Sequence, residues 1–305
     1  VDLHTFDPAA LAAMARHAGA EHVGTATEEL TSALAGWPIR TFEYAVAEDA
    51  LGFGVFPGQY GMAVYSTAPI DHGAVRTFQL QLWSQMPDSL LPWDYYGREI
   101  GKRLRLSSKS HWDVPVRVGR DTVHVLASHP TPPSFDGSED RNGRRNHDEI
   151  RFWADYITGS RRGSWIRDDN GGTGGLLPGS RFVIMGDLNS DPQDGDSWPG
   201  AARQLLEHHR IQDPRPSSEG AVAAAAAQGG ANTRHLGEHR FDTADFTDQA
   251  PGNLRVDYVL PSSNLRVQDS QVFWPAPGQP GAELTGSYPF PTSDHRPVWA
   301  DLRVR

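Results

Sequence analysis

Met185-Gly186-Asp187-Leu188-Asn189-Ser190-Asp191-Pro192 is the stretch on which the reading of the fold turns. The apolar run before it, residues 181–185, reads as a short strand that Gly186 breaks. The strand therefore delivers an acid, Asp187, and an amide, Asn189, to a turn at its end. Strand alternation points these two side chains the same way, over the strand end. A carboxylate there can hold a divalent cation or take a proton from water, and the amide can position a phosphoryl oxygen or the attacking water. The competing account is an ordinary strand-to-turn junction, where Gly, Asp and Asn are the default residues.

Two further stretches carry chemistry. Ser293-Asp294-His295-Arg296-Pro297-Val298 stands before a closing strand over 297–304. Asp294 there can bind a metal or fix an imidazole tautomer, and His295 can hydrogen-bond a phosphoryl oxygen; the competing account is a turn acid beside a surface histidine. Arg255-Val256-Asp257-Tyr258-Val259-Leu260 places Asp257 inside an apolar strand, an expensive position for a carboxylate without a partner. Its competing account is a buried pair with a structural arginine.

Outward from these motifs, an Ala-rich helix is expected over 7–19 and a second over 27–35. Strands are expected over 62–66, over 75–83 with Val75, Thr77 and Gln79 alternating, and over 114–118 and 122–127 around Gly119. Asn146 with Glu149 reads as a capping box for a helix that carries Ile150, Trp153, Ala154 and Ile157 and stops at Gly159. Residues 199–209 read as a helix with Leu205 and Leu206 inward. Residues 214–249 read as a long loop with one helical turn. No repeat or linker appears, so the chain is expected to be one α+β domain over residues 1–305, richer in strands than helices.

Composition bounds the function. Among 305 residues, 38% hydrophobic content with nine Trp and twelve Phe supplies a sizeable core, while 31 Gly and 23 Pro imply many turns and long loops. The chain has no cysteine, which excludes disulfides and thiolate metal sites. No apolar run is long enough to span a membrane. The net charge of -10, from 38 acidic against 28 basic side chains, argues against tight duplex nucleic-acid binding. A local basic patch, Arg141, Arg144, Arg145 and Arg151, stands against that average.

Taken together and in this order, the motifs resemble those of the endonuclease/exonuclease/phosphatase superfamily. The resemblance covers about residues 51–305 and implies a deoxyribonuclease-I-like fold, a four-layered α/β sandwich of two packed, mostly antiparallel sheets flanked by helices. It also implies roles: Asp187 as the base, Asn189 as the amide that holds water and substrate, Asp257 as the acid that orients His295, and Asp294 as a metal-side acid with Asp187. Ser128-His129-Pro130-Thr131 matches the family's mid-chain histidine, which places His129 at the scissile phosphate. The implied cofactor is Mg²⁺ or Mn²⁺, with Ca²⁺ a third choice. The implied partner is a phosphoester: a small molecule, a lipid headgroup or nucleic acid.

Three other strings are similar to those of exported actinobacterial members: Gly54-Val55-Phe56-Pro57-Gly58-Gln59-Tyr60-Gly61-Met62, Leu106-Ser107-Ser108-Lys109-Ser110-His111-Trp112-Asp113, and Arg144-Arg145-Asn146-His147-Asp148-Glu149. They imply a secreted monomer, with Lys109 and His111 presenting positive charge to substrate and Gln59 and Tyr60 lining the cleft. The chain departs from the family at its front, where a strand with an asparagine and a second strand ending in a metal-binding glutamate are expected. Leu3-His4-Thr5-Phe6-Asp7 aligns with the second of these, with Thr5 in the glutamate's place and Asp7, Glu28 or Glu29 as substitutes; strands before about residue 50 are missing or divergent. The alternative function is therefore a catalytically impaired phosphate-binding module on the same fold. His235-Leu236-Gly237-Glu238-His239 also fits a zinc-peptidase pattern, but Gly237 in its middle disfavours the helix that chemistry requires.

Overall fold

The computed structural model describes residues 60–159 and 161–304. The helices expected over 7–19 and 27–35, and Thr5, Asp7, Glu28, Glu29 and Gln59, lie outside the described residues. In chain order the strands are β1 (Arg76–Thr77), β2 (His111–Val118), β3 (Asp121–Ser128), β4 (Arg181–Asp187), β5 (Ala244–Asp245), β6 (Asn253–Leu254), β7 (Asp257–Pro261), β8 (Arg266–Val272) and β9 (Val298–Arg303). The α-helices are α1 (Trp93–Gly101), α2 (Arg141–Thr158), α3 (Arg203–Leu206), α4 (Glu219–Gln228) and α5 (Ala282–Thr285).

The central sheet has the order β1-β2-β3-β4-β7 among the described residues. β2 and β3 form the expected antiparallel hairpin, with Gly119 in the turn at a φ of 65°. β4 lies parallel to β3, and α2 makes the crossover that a parallel pair needs. β7 then runs antiparallel to β4 in a register that sets Asp187 directly opposite Asp257. Two acids separated by 70 residues of chain are thus neighbours because of sheet register.

Alternation on these strands builds a two-sided core. Leu126, Phe182, Ile184, Tyr258 and Leu260 face α2, where they meet Ile150, Phe152, Trp153, Tyr156 and Ile157. Val123, Val183 and Val259 face the other way and meet Val298, Ala300 and Leu302 of β9, which pairs with β8 in a second sheet. Ala221 and Ala224 of α4 cover that sheet through Val272, Trp274 and Val298. The order is helix, sheet, sheet, helix: the four-layered α+β sandwich expected from the motifs. Each fully buried Phe, Ile, Leu or Val contributes about 1.5–3 kcal/mol, so the layers are held chiefly by apolar burial.

Several local expectations are corrected. Residues 62–66 form no strand among the described residues, and the strand expected over 75–83 shrinks to β1, because the backbone of residues 79 and 80 turns to donate to the Asp169 carboxylate. Residues 199–209 are helical only over α3. The presumed loop 214–249 contains α4, capped by Ser218 Oγ accepting from Ala221 N. Gly186 does not end β4; with φ 139° it continues the strand, and a Cβ there would sit 2.1 Å from the Ser128 carbonyl oxygen. Asn146 and Glu149 do not cap α2, which begins five residues earlier at Arg141; both are fully buried inside it.

Candidate active site

Two strand ends and two loops meet at a single mouth. β4 delivers Asp187, β7 delivers Asp257, the loop after β3 carries His129, and the loop before β9 carries Asp294 and His295. Asp187 Oδ2 lies 3.4 Å from His129 Nε2 and 3.9 Å from His295 Nε2. His295 Nδ1 hydrogen-bonds Asp257 Oδ2 at 2.9 Å, and the edge of Phe246 abuts its ring. The competing arginine account for Asp257 does not hold, because Arg255 pairs with Asp213 instead.

Asn189 takes a different conformation from the one strand alternation suggests. Asp187 Oδ1 accepts from Asn189 N at 2.7 Å, closing a tight turn that puts Asn189 in the left-handed region at φ 50°. Asn189 Nδ2 donates to the Pro130 carbonyl at 3.0 Å, so the amide ties its turn to the loop of His129.

The two imidazoles are driven in opposite directions. Burial lowers His129 to about 4, with Lys109 and His295 adding to the effect and Asp187 opposing it. Burial also pulls on His295, but Asp257, Asp187 and Asp294 override it and raise the group to about 10. Burial pushes the Asp187 carboxyl above the usual carboxylate range, helped by Asp257 and opposed by His295 and His129. At neutral pH the mouth therefore holds a neutral imidazole, a charged imidazolium and a desolvated acid.

One ligand atom each of Asp187, Asp257 and His295 lie within 4.8 Å of one another. A carboxylate whose charged form is disfavoured by desolvation gains most from a nearby cation, and oxygen donors suit Mg²⁺ or Mn²⁺. The donor set fits a hard divalent ion. His295 Nδ1 is engaged by Asp257 and the neighbouring acids keep the ring protonated, which leaves the two carboxylates as the groups that would hold it. Asp294, expected as a ligand, is outside this triad: it is half-buried on the adjacent turn, where its carbonyl accepts from Asp245 N.

The two expected substrate contacts diverge. Lys109 is half-buried beside the mouth, its Nζ donating to the His129 carbonyl at 3.2 Å. His111 is 1% exposed and faces α2, so it does not reach substrate. Its Nδ1 meets Ser107 Oγ at 3.1 Å, its Nε2 meets the Glu149 carbonyl at 2.8 Å, and burial lowers it to about 4. The expected basic patch is likewise consumed by the fold. Arg141 pairs with Glu139, Arg144 lies over the Trp198 ring, Arg145 is buried against the Leu106 and Arg105 carbonyls, and Arg151 meets Asp88 and Asp155. In the zinc-peptidase pattern, His235 binds the Pro251 carbonyl and His239 binds Asp242, with no helix joining them.

Thr243 carries no sequence signal, yet it is central. Its hydroxyl donates to Asp257 Oδ2 at 2.9 Å and accepts from Val256 N and Asp257 N, which fills the hydroxyl's capacity. Its carbonyl accepts from Arg296 N, and Ala244 bridges His295. Residues 243 and 244 thus hold both members of the Asp257–His295 pair.

Among solved structures, the chain is similar to an endonuclease/exonuclease/phosphatase from Beutenbergia cavernae, at 21% identity over 78% of this chain and 46% of that one, with a TM-score of 0.43. It is similar to a 3′ phosphatase from Neisseria bound to product DNA hairpin, at 16% identity over 78% and 73%, with a TM-score of 0.38. A Staphylococcus aureus beta toxin with bound magnesium ions matches at 10% identity over 66% and 59%, with a TM-score of 0.33. The chain thus spans less than half the length of the Beutenbergia protein. No curated protein matches it. The sequence profile of the Endonuclease/Exonuclease/phosphatase family matches residues 6–295, reaching well in front of residue 51, where the motif resemblance begins. The match takes in almost the entire sequence and all of the residues gathered at the mouth, and the chain belongs to the endonuclease/exonuclease/phosphatase family.

Proposed function

We propose that the protein hydrolyses phosphate esters with the help of a divalent cation. The observation that carries this reading is the placement of Asp187 between the His129 and His295 rings, the second fixed by Asp257, where burial pushes the first ring down and the neighbouring acids raise the second. Titratable groups pushed apart in this way mark a division of acid and base work. Asp187 accepts the proton of an attacking water. His295, charged at neutral pH, donates from Nε2 to a phosphoryl oxygen as negative charge grows there. His129 stays neutral, so its ring hydrogen-bonds without adding charge, and Asn189 holds the two loops in register. A Mg²⁺ or Mn²⁺ held by Asp187 and Asp257, with Asp294 adding charge nearby, would supply further neutralisation of the phosphoryl oxygens.

The substrate is a small phosphoester or a lipid headgroup. The support is the charge balance together with the engagement of Arg141, Arg144, Arg145 and Arg151 within the fold, which leaves no basic track there for a duplex. Export is part of the same proposal, supported by the strings similar to those of exported members and tested by whether the full gene product accumulates outside the cell. The functional test compares a phosphomonoester with a phosphodiester, in Mg²⁺ or Mn²⁺ and in chelator, at low and high salt. Turnover that vanishes in chelator and varies little with salt is expected. Turnover that persists in chelator, or that falls steeply with salt, overturns the metal or the substrate assignment respectively.

A further inference from the structure

Helix α2 contributes nothing to the mouth itself, yet it carries three fully buried polar side chains. Asp148 accepts from Trp83 Nε1 and Leu90 N, away from the mouth, while Asn146 and Glu149, three residues apart, turn toward the loops that build it. Burying a carboxylate is costly unless it is fully engaged. Glu149 is engaged on both oxygens: Oε1 accepts from Ser108 N at 2.8 Å and from Ser108 Oγ at 3.3 Å, and Oε2 accepts from Thr131 N at 2.6 Å. Its own carbonyl takes the buried His111 ring. Asn146 Nδ2 donates to the Thr131 and Leu188 carbonyls, both at 2.8 Å. The reversed amide would set an oxygen against two carbonyls, so the orientation is fixed by chemistry. Arg145 adds bonds to the Arg105 and Leu106 carbonyls.

These partners are not scattered. Ser108 adjoins Lys109, Thr131 lies two residues after His129, and Leu188 separates Asp187 from Asn189. We infer that Glu149 and Asn146 are positioning residues that hold Lys109, His129 and Asp187 in one constellation. The inference rests on the phosphoester reading for what the constellation does, but not for whether α2 sets it. The charges around Lys109 agree: burial pulls its ammonium down, Glu149 and Asp187 push it back up, and Arg145 pulls with burial. The His129 carbonyl accepts from Lys109 Nζ, so the lysine is a second link, beside Glu149, between the loop of Ser108 and the loop of His129.

The test is Glu149→Gln, which keeps volume but sets an NH₂ against the Thr131 N–H and removes the charge. Two readouts are taken: kcat and KM on a phosphomonoester and a phosphodiester, and the titration midpoint of Lys109 followed through its ¹³Cε resonance. A small misplacement of catalytic groups costs up to about a hundredfold, so we expect kcat to fall about ten- to a hundredfold with little change in KM, and the Lys109 midpoint to drop. Arg151→Ala, on the same helix but turned toward Asp88 and Asp155, destabilises without either effect. If Glu149→Gln fails to fold, Glu149→Asp serves: kcat falls while the Lys109 midpoint holds, because the charge remains. Wild-type kcat together with an unmoved midpoint in Glu149→Gln overturns the inference. Should the wild-type protein hydrolyse no ester, the proposed function falls, and the positioning role is then read from the backbone amide resonances of Lys109, His129 and Asp187: shifts in Glu149→Gln that are absent in Arg151→Ala support it, and unmoved resonances overturn it.

Discussion

The two faces of the central sheet are built by opposite rules. On the β9 side, Val123, Val183 and Val259 pack on Val298, Ala300 and Leu302. On the α2 side, apolar packing is interleaved with His111, Asp113, Asn146 and Glu149, all nearly or fully buried and all bonded. The difference teaches where the mouth draws its rigidity. Side chains at loop ends cannot be held by burial alone, which is non-directional; they need directional bonds from an element that is itself immobile. α2 is that element. The aliphatic face supplies stability, and the mixed face spends some of it on placement.

This contrast can be broken or sharpened by substitution. At the mouth, His295→Ala is expected to lower turnover by at least about a hundredfold, the scale of one lost charge-stabilising donor; steady-state rates on both ester classes measure it. One step back, Thr243→Val removes the hydroxyl that fills Asp257 Oδ2 and two backbone N–H groups. A loss of roughly tenfold in kcat is expected, with Thr243→Ser restoring most of it.

Deeper on the α2 face, His111 gives a pH signature. Its folded value of about 4 lies below the ordinary 6.5, so the unfolded chain binds more protons between those values. Stability is full above about pH 6.5 and is lost as the pH falls toward 4, by up to about 3 kcal/mol from this group. Denaturant unfolding across that range measures the slope, and His111→Phe is expected to flatten it. On the aliphatic face, Val183→Ala is expected to cost about 1–3 kcal/mol of stability while kcat stays at the wild-type value. A large kcat loss there would erase the distinction between the faces.

What the sequence makes legible follows the range of each interaction. Gly-Asp-Leu-Asn at the end of β4, Asp257 in its apolar strand and the Asp294-His295 turn are short strings whose residue types already state their chemistry, and the β2–β3 hairpin follows from period-two alternation. Asn146 and Glu149 mislead because the spacing of a capping box is also one turn of a helix interior; local pattern cannot tell a cap from a buried strut. His111 misleads for a related reason. Alternation groups it with Asp113, but nothing local reveals that this is the face α2 covers. Arg144 and Arg145 look like a phosphate-binding patch until Trp198 and the 105–106 carbonyls are seen beside them. Thr243 was invisible, since a lone threonine in a loop gains its role from Asp257, fourteen residues later, and His295, on another strand's loop.

The central claim is that Asp187 takes the proton of a water attacking a phosphoester. Its most direct measurement is the single-turnover rate of Asp187→Asn against the parent protein at saturating Mg²⁺ or Mn²⁺, with unfolding curves to confirm the fold. Removing a general base costs about a hundred- to ten-thousandfold, and a loss of that size is the expected result. A variant that cleaves the same ester at the parent rate would contradict the account.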